Sequence, residues 1–320
     1  MQRRHFTAAL AATIAAPLAH AQSWPAKPIR VLVGYPPGGF TDVTARLICD
    51  KLQARLGQPV IVENKPGANG IVAVDTMAKA APDGYTFAVV IAAHAANTTL
   101  YKKLPYDPQK DVAPISLIGQ SPLLAAVNID APYKTARELL AFAKANPGKI
   151  SYGSSGNGSA VHLSTELLKS LTGTHMVHIP YRGAAAALTD LMGGQTHLFM
   201  DAASGLIAPG KGGKVRLIGV ASEKRLPVLP DVPSFIEQGV RGFVASTWAG
   251  MLAPAATPAA VVKRVADEIA AIVRQDDVRA RLESMGTIPV GNSPAEFESF
   301  IAQETAKWGK VIRDTKVTLD

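Results

Sequence analysis

Three short polar turns carry most of the chemistry this sequence offers. The first, Pro36-Pro37-Gly38-Gly39-Phe40-Thr41-Asp42, follows the apolar run Ile29–Tyr35 and precedes a helical pattern from Asp42 to Leu56. A helix N-terminus carries unpaired N–H groups and about half a positive charge, which makes it an anion site. Gly38 and Gly39 let a ligand approach those amides without a Cβ in the way. Thr41 is placed to cap the helix, and a plain strand-to-helix turn with a cap would use the same residues. Asp42 competes for the same donors, so its carboxylate suits a bound water, or an ammonium or hydroxyl group on a ligand.

The second turn, Gly153-Ser154-Ser155-Gly156-Asn157-Gly158-Ser159, combines mobile backbone with hydroxyl donors, enough to hold a small polar group. The third, Tyr181-Arg182-Gly183, opens another helix beside a cation, and Arg182 reads either as a charge partner or as a solvated surface arginine. His94 and His162 flank these loops, within reach of a ligand or of a local backbone group.

Other chemistries lack their residues. Gly205 to Lys211 matches the start of a phosphate-binding loop, but Gly212 stands where the Ser or Thr should be and Pro209 interrupts it. Gly156-Asn157-Gly158 begins a dinucleotide fingerprint that Val161 ends. No G-x-S-x-G elbow occurs, His175 and His178 fall on opposite faces of a strand, and one cysteine cannot build a zinc-thiolate site. No metal and no cofactor is expected. The formal charge of +8 suggests nucleic acid at first, yet basic residues do not cluster and aromatic residues make up just 6%. Nucleic-acid binding is therefore not expected.

The elements that must position these turns alternate. Strand candidates at Ile29–Tyr35, Val60–Val62, Tyr85–Ala92, Ile115–Ile118, Leu123–Val127, Ile150–Gly153, His175–Ile179, His197–Met200, Val215–Val220 and Phe243–Leu252 are interleaved with helical runs. The pattern predicts an α/β fold of two lobes, each a mostly parallel sheet flanked by helices. Residues 22–120 plus 222–320 are expected to form one lobe and residues 121–221 the other. Ahead of them, residues 1–21 read as a signal peptide: Arg3-Arg4, an apolar stretch, then Ala19-His20-Ala21 as a cleavage site. Arg3-Arg4-His5-Phe6 leaves both the Sec and the twin-arginine route open. Cleavage after Ala21 removes two arginines and no acid, so +8 becomes +6, and the mature protein is expected outside the cytoplasm.

Taken together the segments resemble the Bug family, the substrate-binding receptors of tripartite tricarboxylate transporters. The resemblance rests on Pro28-Ile29-Arg30 with Pro36-Pro37-Gly38-Gly39, Val62-Glu63-Asn64-Lys65-Pro66-Gly67-Ala68, Pro82-Asp83-Gly84-Tyr85-Thr86 and Leu104-Pro105-Tyr106-Asp107-Pro108. It continues through Gly153-Ser154-Ser155-Gly156 with His162-Leu163, Ile179-Pro180-Tyr181, Leu229-Pro230-Asp231-Val232-Pro233, and Trp248 before Leu252-Ala253-Pro254. It implies a periplasmic binding protein of the two-lobed, type II-like kind, its lobes joined by two crossing segments and closing over a small carboxylate. The implied partners are membrane permease subunits, with the receptor itself a monomer. Position by position, Pro37, Gly38, Gly39, Phe40, Thr41 and Asp42 match the first carboxylate loop. Ser154, Ser155, Gly156 and Ser159 match the opposing loop, and Tyr181, Arg182 and Gly183 a third wall. His94 and Asn97 match a cleft-lining segment, and Asp201 an acidic position at the cleft floor. Phe40 departs from the usual small residue, and Ala92 and Ala93 from Gly and Thr. The alternatives are a sensor that signals to a partner, and a secreted α/β hydrolase built on His162 and Asp201.

Overall fold

The computed structural model describes residues 24–319; the signal segment expected over residues 1–21 lies outside them. In chain order the elements begin β1 (Ile29–Val33), α1 (Phe40–Leu56), β2 (Val60–Asn64), α2 (Ile71–Ala78), β3 (Thr86–Val90), α3 (Ala93–Leu100) and β4 (Val112–Asn128). They continue α4 (Ala136–Ala145), β5 (Ile150–Ser154), α5 (Ala160–Thr172), β6 (Met176–Pro180), α6 (Ala184–Met192), β7 (Leu198–Ala202), α7 (Ala203–Lys211) and β8 (Val215–Val220). The chain ends with β9 (Ser246–Pro254), α8 (Ala259–Val273), α9 (Asp276–Ser284), β10 (Ile288–Pro289) and α10 (Pro294–Thr315). No helix among the described residues is long and apolar enough to cross a membrane.

In the first lobe, strands β1, β3 and β9 are apolar on both faces because both faces are covered. Val31, Val33, Phe87, Val89, Met251 and Ala253 point into a core closed by α1 and α8. Their neighbours Leu32, Ala88, Val90 and Leu252 point the opposite way, into a core with Trp248 and Phe297. Alternation at period two thus builds two cores from one sheet. The second lobe has a single larger core under β4 to β8, including Tyr152, Phe199, Leu206 and Phe235.

The strands are mixed in direction, and the mixing has a pattern. The pairs β1–β2, β1–β3, β5–β6 and β5–β7 are parallel. Every antiparallel pairing involves β4 or β9. The sequence suggests two strands at Ile115–Ile118 and Leu123–Val127, but one strand of 17 residues runs through both. Its first part pairs with β9 up to Pro122, and from Leu123 onward it pairs with β7 and β8. At that junction Leu123 N–H donates to the Ala245 carbonyl (3.0 Å), Ala245 N–H to Ala221 (3.0 Å) and Ala221 N–H to Leu123 (2.8 Å). This triangle ties together the strands by which the chain crosses between lobes.

The second crossing lies later than expected. Residues 222–245, assigned from sequence to the first lobe, pack on the core of the second through Leu226, Leu229, Phe235, Val240 and Phe243. Phe235 N–H also bonds the Val220 carbonyl (3.0 Å), so the chain leaves the second lobe only at Ala245. Helix α10 bridges as well: Phe297 sits in a core of the first lobe, while Trp308, Val311 and Ile312 sit in that of the second. Two helices were not legible in the sequence. In α3 the run Ala93–Leu100 lacks an amphipathic period, and α7 contains Gly205, Pro209 and Gly210, residues that ordinarily break helices.

Candidate functional site

Because β1 and β3 are parallel, and β5, β6 and β7 run parallel to one another, each lobe presents its strand C-termini along one edge. Open α/β sheets bind ligands outside that edge. All three turns singled out above lie there.

The first turn leaves β1 at Val33. A side chain on Gly34 would come within 2.6 Å of the Gly70 Cα, so glycine is needed where two loops cross. Pro36 to Gly39 are exposed, Gly38 has φ +86°, and Gly39 is the N-cap of α1. Thr41 therefore does not cap the helix as expected: it lies inside the first turn, buried, and no side chain among the described residues caps α1. Asp42 also departs from expectation. Its carboxylate accepts from the Gly38 N–H (2.9 Å), from Arg46 Nε (3.0 Å) and from Asn64 Nδ2 (2.8 Å), so it braces the turn and does not face a ligand. Burial works against this carboxylate, but hydrogen bonds from Arg46, Gly38 and Asn64 outweigh it and hold it below the usual range. The N–H groups of Phe40, Thr41 and Asp42 have no partner among the described residues. Phe40 is half-buried and leans on the first-lobe core, forming an apolar floor beside these amides.

The second turn is more tightly bound within itself. Ser154 is fully buried; its hydroxyl donates to the Gly156 carbonyl (3.1 Å) and accepts from Gly156 N–H (3.2 Å). Ser159 caps α5 by accepting from His162 N–H (3.3 Å). The Ser154 hydroxyl is thus spent on the fold and that of Ser159 is held as an acceptor, leaving Ser155, half-exposed, as the serine of this loop without a side-chain partner among the described residues. The third turn adjoins it, since Tyr181 N–H donates to the Ser154 carbonyl (3.0 Å). Gly183, with φ +112°, is the N-cap of α6, again without a side-chain cap. Tyr181 directs its hydroxyl at Asp190 (2.7 Å), along α6, and Arg182 is exposed.

His94 lies behind the cleft. It is buried, stacks on Tyr106 with ring centroids 6.4 Å apart, and burial lowers its pKa to about 4. With Tyr35, Asn69 and Asn97 it borders a cavity of about 10 Å³. Asn97 exchanges hydrogen bonds with Asn69, donating to its carbonyl (3.2 Å) and accepting from its side-chain amide (3.0 Å). Asp201, next to last in β7 and beside Gly205, is partly buried, and that burial pushes its pKa up to about 7 against a hydrogen bond from Ala202.

Two groups went unnoticed in the sequence. Asn69 donates across the lobes to the Gly158 carbonyl (3.3 Å), and an Asn–Gly pair in a turn is the available signal. His178, read as an ordinary strand residue, stacks on His162 with centroids 3.8 Å apart. That contact also bears on the hydrolase alternative. His162 Nδ1 accepts the Gly158 N–H (3.0 Å) and its nearest acid is Glu166, not Asp201. Among the described residues no three His, Cys, Asp or Glu side chains converge as metal ligands.

A family model described as "Tripartite tricarboxylate transporter family receptor" matches residues 44–317. Protein BugT of Bordetella pertussis is 34% identical over 310 residues, covering 96% of this chain and 95% of that protein. The structure of Rpa4515 from R. palustris with adipate superposes with a TM-score of 0.88 at 33% identity, covering 92% of this chain and 99% of that one. MatC (Rpa3494) from Rhodopseudomonas palustris with bound malate gives 0.82 at 32% identity, with 90% and 99% coverage.

Proposed function

We propose that this chain, which belongs to the tripartite tricarboxylate transporter receptor family, captures a small carboxylate between its lobes and presents it to a membrane permease. The family is one of solute-binding receptors, and the chain is accordingly not an enzyme. One observation carries the carboxylate reading. The N-terminus of α1 offers three successive N–H groups without partners among the described residues, at an exposed glycine turn on the cleft edge. The arrangement is preorganised: Asp42 takes the Gly38 amide and leaves the helical donors for a ligand anion.

Magnitudes are adequate. A micromolar dissociation constant corresponds to about 8 kcal/mol. Hydrogen bonds to a charged group contribute roughly 1.5–3 kcal/mol each. Three from α1, with further donors at Ser155 and the N-terminus of α6, supply that gross energy without a buried arginine. Part of it is lost in ordering the ligand and in drawing the lobes together. Lobe closure follows as a shift of population, driven only by contacts that are better in the closed state. Adipate and malate, held by two relatives, set the size of acid to try first.

The exported chain in the periplasm, as a monomer, is the acting form. Native mass spectrometry of gently purified protein tests the reading, followed by calorimetry with a panel of mono-, di- and tricarboxylates. An unmodified small acid that co-purifies and rebinds is the expected result. Failure of the whole panel to bind, or chemical turnover of any member, would sink the proposal.

A further inference from the structure

The Gly158 peptide is held from both sides. Its N–H donates to His162 Nδ1 (3.0 Å) within the second lobe, and its carbonyl accepts from Asn69 Nδ2 (3.3 Å) of the first. Leu100 of α3 closes on the same residue: a side chain at position 158 would come within 2.6 Å of its Cδ1. Gly158 is thus a point at which the lobes touch, and the backbone there, at φ +71°, favours glycine.

His162 does not act alone. Its ring lies on that of His178, centroids 3.8 Å apart and 14° from parallel, and Tyr152 stacks on His178 at 4.9 Å while lying 6.3 Å from His162. His178 Nε2 is 2.6 Å from Ser154 Oγ. That contact, with the bonds between Ser154 and Gly156, ties the His178 ring to the start of the loop. The two stacked rings therefore hold the second ligand loop at both ends, Ser154 and Gly158.

Proton accounting fixes the charge of His162. An Nδ1 that accepts from Gly158 leaves His162 its proton on Nε2, 4.0 Å from Glu166 Oε1. The charged or titratable groups facing the pair are Glu166 and Lys169 on α5, Tyr152 on β5 and the rings themselves. Glu166 favours a proton on the rings, but it is engaged by Tyr152 Oη (2.5 Å) and Lys169 Nζ (2.6 Å). The first-lobe residues that meet the loop, Asn69 and Leu100, carry no charge.

We propose that His162 and His178 are positioning residues of the ligand cleft: a neutral stacked pair that sets the second loop and, through the Gly158 peptide, the contact with Asn69, so that protonation parts the lobes. A proton on His162 must enter at Nδ1, where it turns an acceptor into a donor against the Gly158 N–H. It also places a charge against the His178 ring. Burial, aided at His178 by the neighbouring ring, lowers the pKa of both to about 4, so the clasp holds at neutral pH and fails as the solution becomes acid. The consequence for ligand affinity rests on the carboxylate-capture reading above.

The test uses the full mature chain and two variants, with circular dichroism confirming the fold. His162→Asn keeps an acceptor near the position of Nδ1 but cannot titrate, whereas His162→Phe keeps a stacking ring and removes the acceptor. Small-angle X-ray scattering between pH 7 and 4 reads the separation of the lobes, and calorimetry with malate and adipate reads affinity. The wild-type chain is expected to expand on acidification, His162→Asn to stay compact, and His162→Phe to be expanded already at pH 7, with affinity for whichever acid binds reduced tenfold or more. Dimensions unchanged with pH in the wild-type chain, or the same acid expansion in His162→Asn, would overturn the proposal. If neither these acids nor any other carboxylate binds, the capture reading fails instead, and scattering alone still decides on the clasp.

Discussion

The Gly38 N–H donates to the Asp42 carboxylate four residues ahead, at 2.9 Å, and this one bond sets the character of the first turn. An acid in the first turn of a helix ordinarily caps it or interacts favourably with its dipole. Here Asp42 is drawn back by Gly38, Arg46 and Asn64, and the helix is left open to an external anion.

Asp42→Asn should therefore loosen the turn. With Arg46 half-exposed, the ion-pair share is small, and the loss of charge-assisted hydrogen bonds is expected to cost about 1–3 kcal/mol at pH 7. Because the folded pKa is depressed, this stability is present above about pH 3.9, the unfolded value, and is lost as pH falls through the folded one. Thermal unfolding at pH 7 and pH 3 checks the sign: the gap between wild type and variant should shrink in acid.

Gly39→Val separates site from fold. At φ −79° the position accepts an L-residue, and a Cβ there meets only the Pro36 carbonyl, at 4.0 Å. Valine is a poorer N-cap than glycine, so stability should fall by about 0.5–1 kcal/mol, less than a buried substitution costs. Carboxylate affinity should fall at least about tenfold, roughly 1.4 kcal/mol, because the side chain stands before the open amides. Calorimetry beside a melting curve makes the comparison, and unchanged affinity would remove the anion site from this turn.

Glu304 Oε2 accepts the indole N–H of both Trp248 (3.1 Å) and Trp308 (2.8 Å), joining β9 to α10 in a buried setting. Glu304→Ala leaves two buried donors unsatisfied, at about 2–4 kcal/mol. Glu304→Gln, which keeps an acceptor, should lose less than half of that. Urea unfolding of the pair measures the difference.

His94 carries a linkage prediction. Burial lowers its pKa to about 4, while an unfolded histidine titrates near 6.5. Its contribution to stability is full above about pH 6.5 and is lost as pH falls toward the folded value. At pH 5 unfolding should take up about one proton more in the wild-type chain than in His94→Gln, read from the pH slope of the urea midpoint. Equal slopes would mean that His94 is already charged in the fold.

How much of this was legible in the sequence depends on the range of the interaction. The strand at Ile29–Val33, the turn at Gly38-Gly39 and the helix after it are set by adjacent residues, and the α/β pattern follows from period-two and period-3.6 alternation. Helix α3 shows no period because five consecutive residues, Ala93 to Asn97, are buried, and α7 forms because packing overrides the weak propensities of Gly205, Pro209 and Gly210. The boundary near 221 was misplaced because Phe235 and Phe243, in a segment without regular structure, announce no partner until the second core is built around them.

The candidate site divides in the same way. Residue types alone determined that glycine turns before helices would offer backbone donors to a small anion, since that property belongs to the peptide group and to the absence of a Cβ. Which donors remain free was decided by the tertiary structure, because freedom is a statement about partners. Asn64 lies 22 residues from Asp42 and helps draw its carboxylate off the helix end. His178, 24 residues from Ser154 and on another strand, takes up that hydroxyl. Asn69, 89 residues from Gly158, brings the lobes into contact. Hydrogen bonds saturate, so each long-range partner removes a donor or acceptor that the local sequence would have left for a ligand.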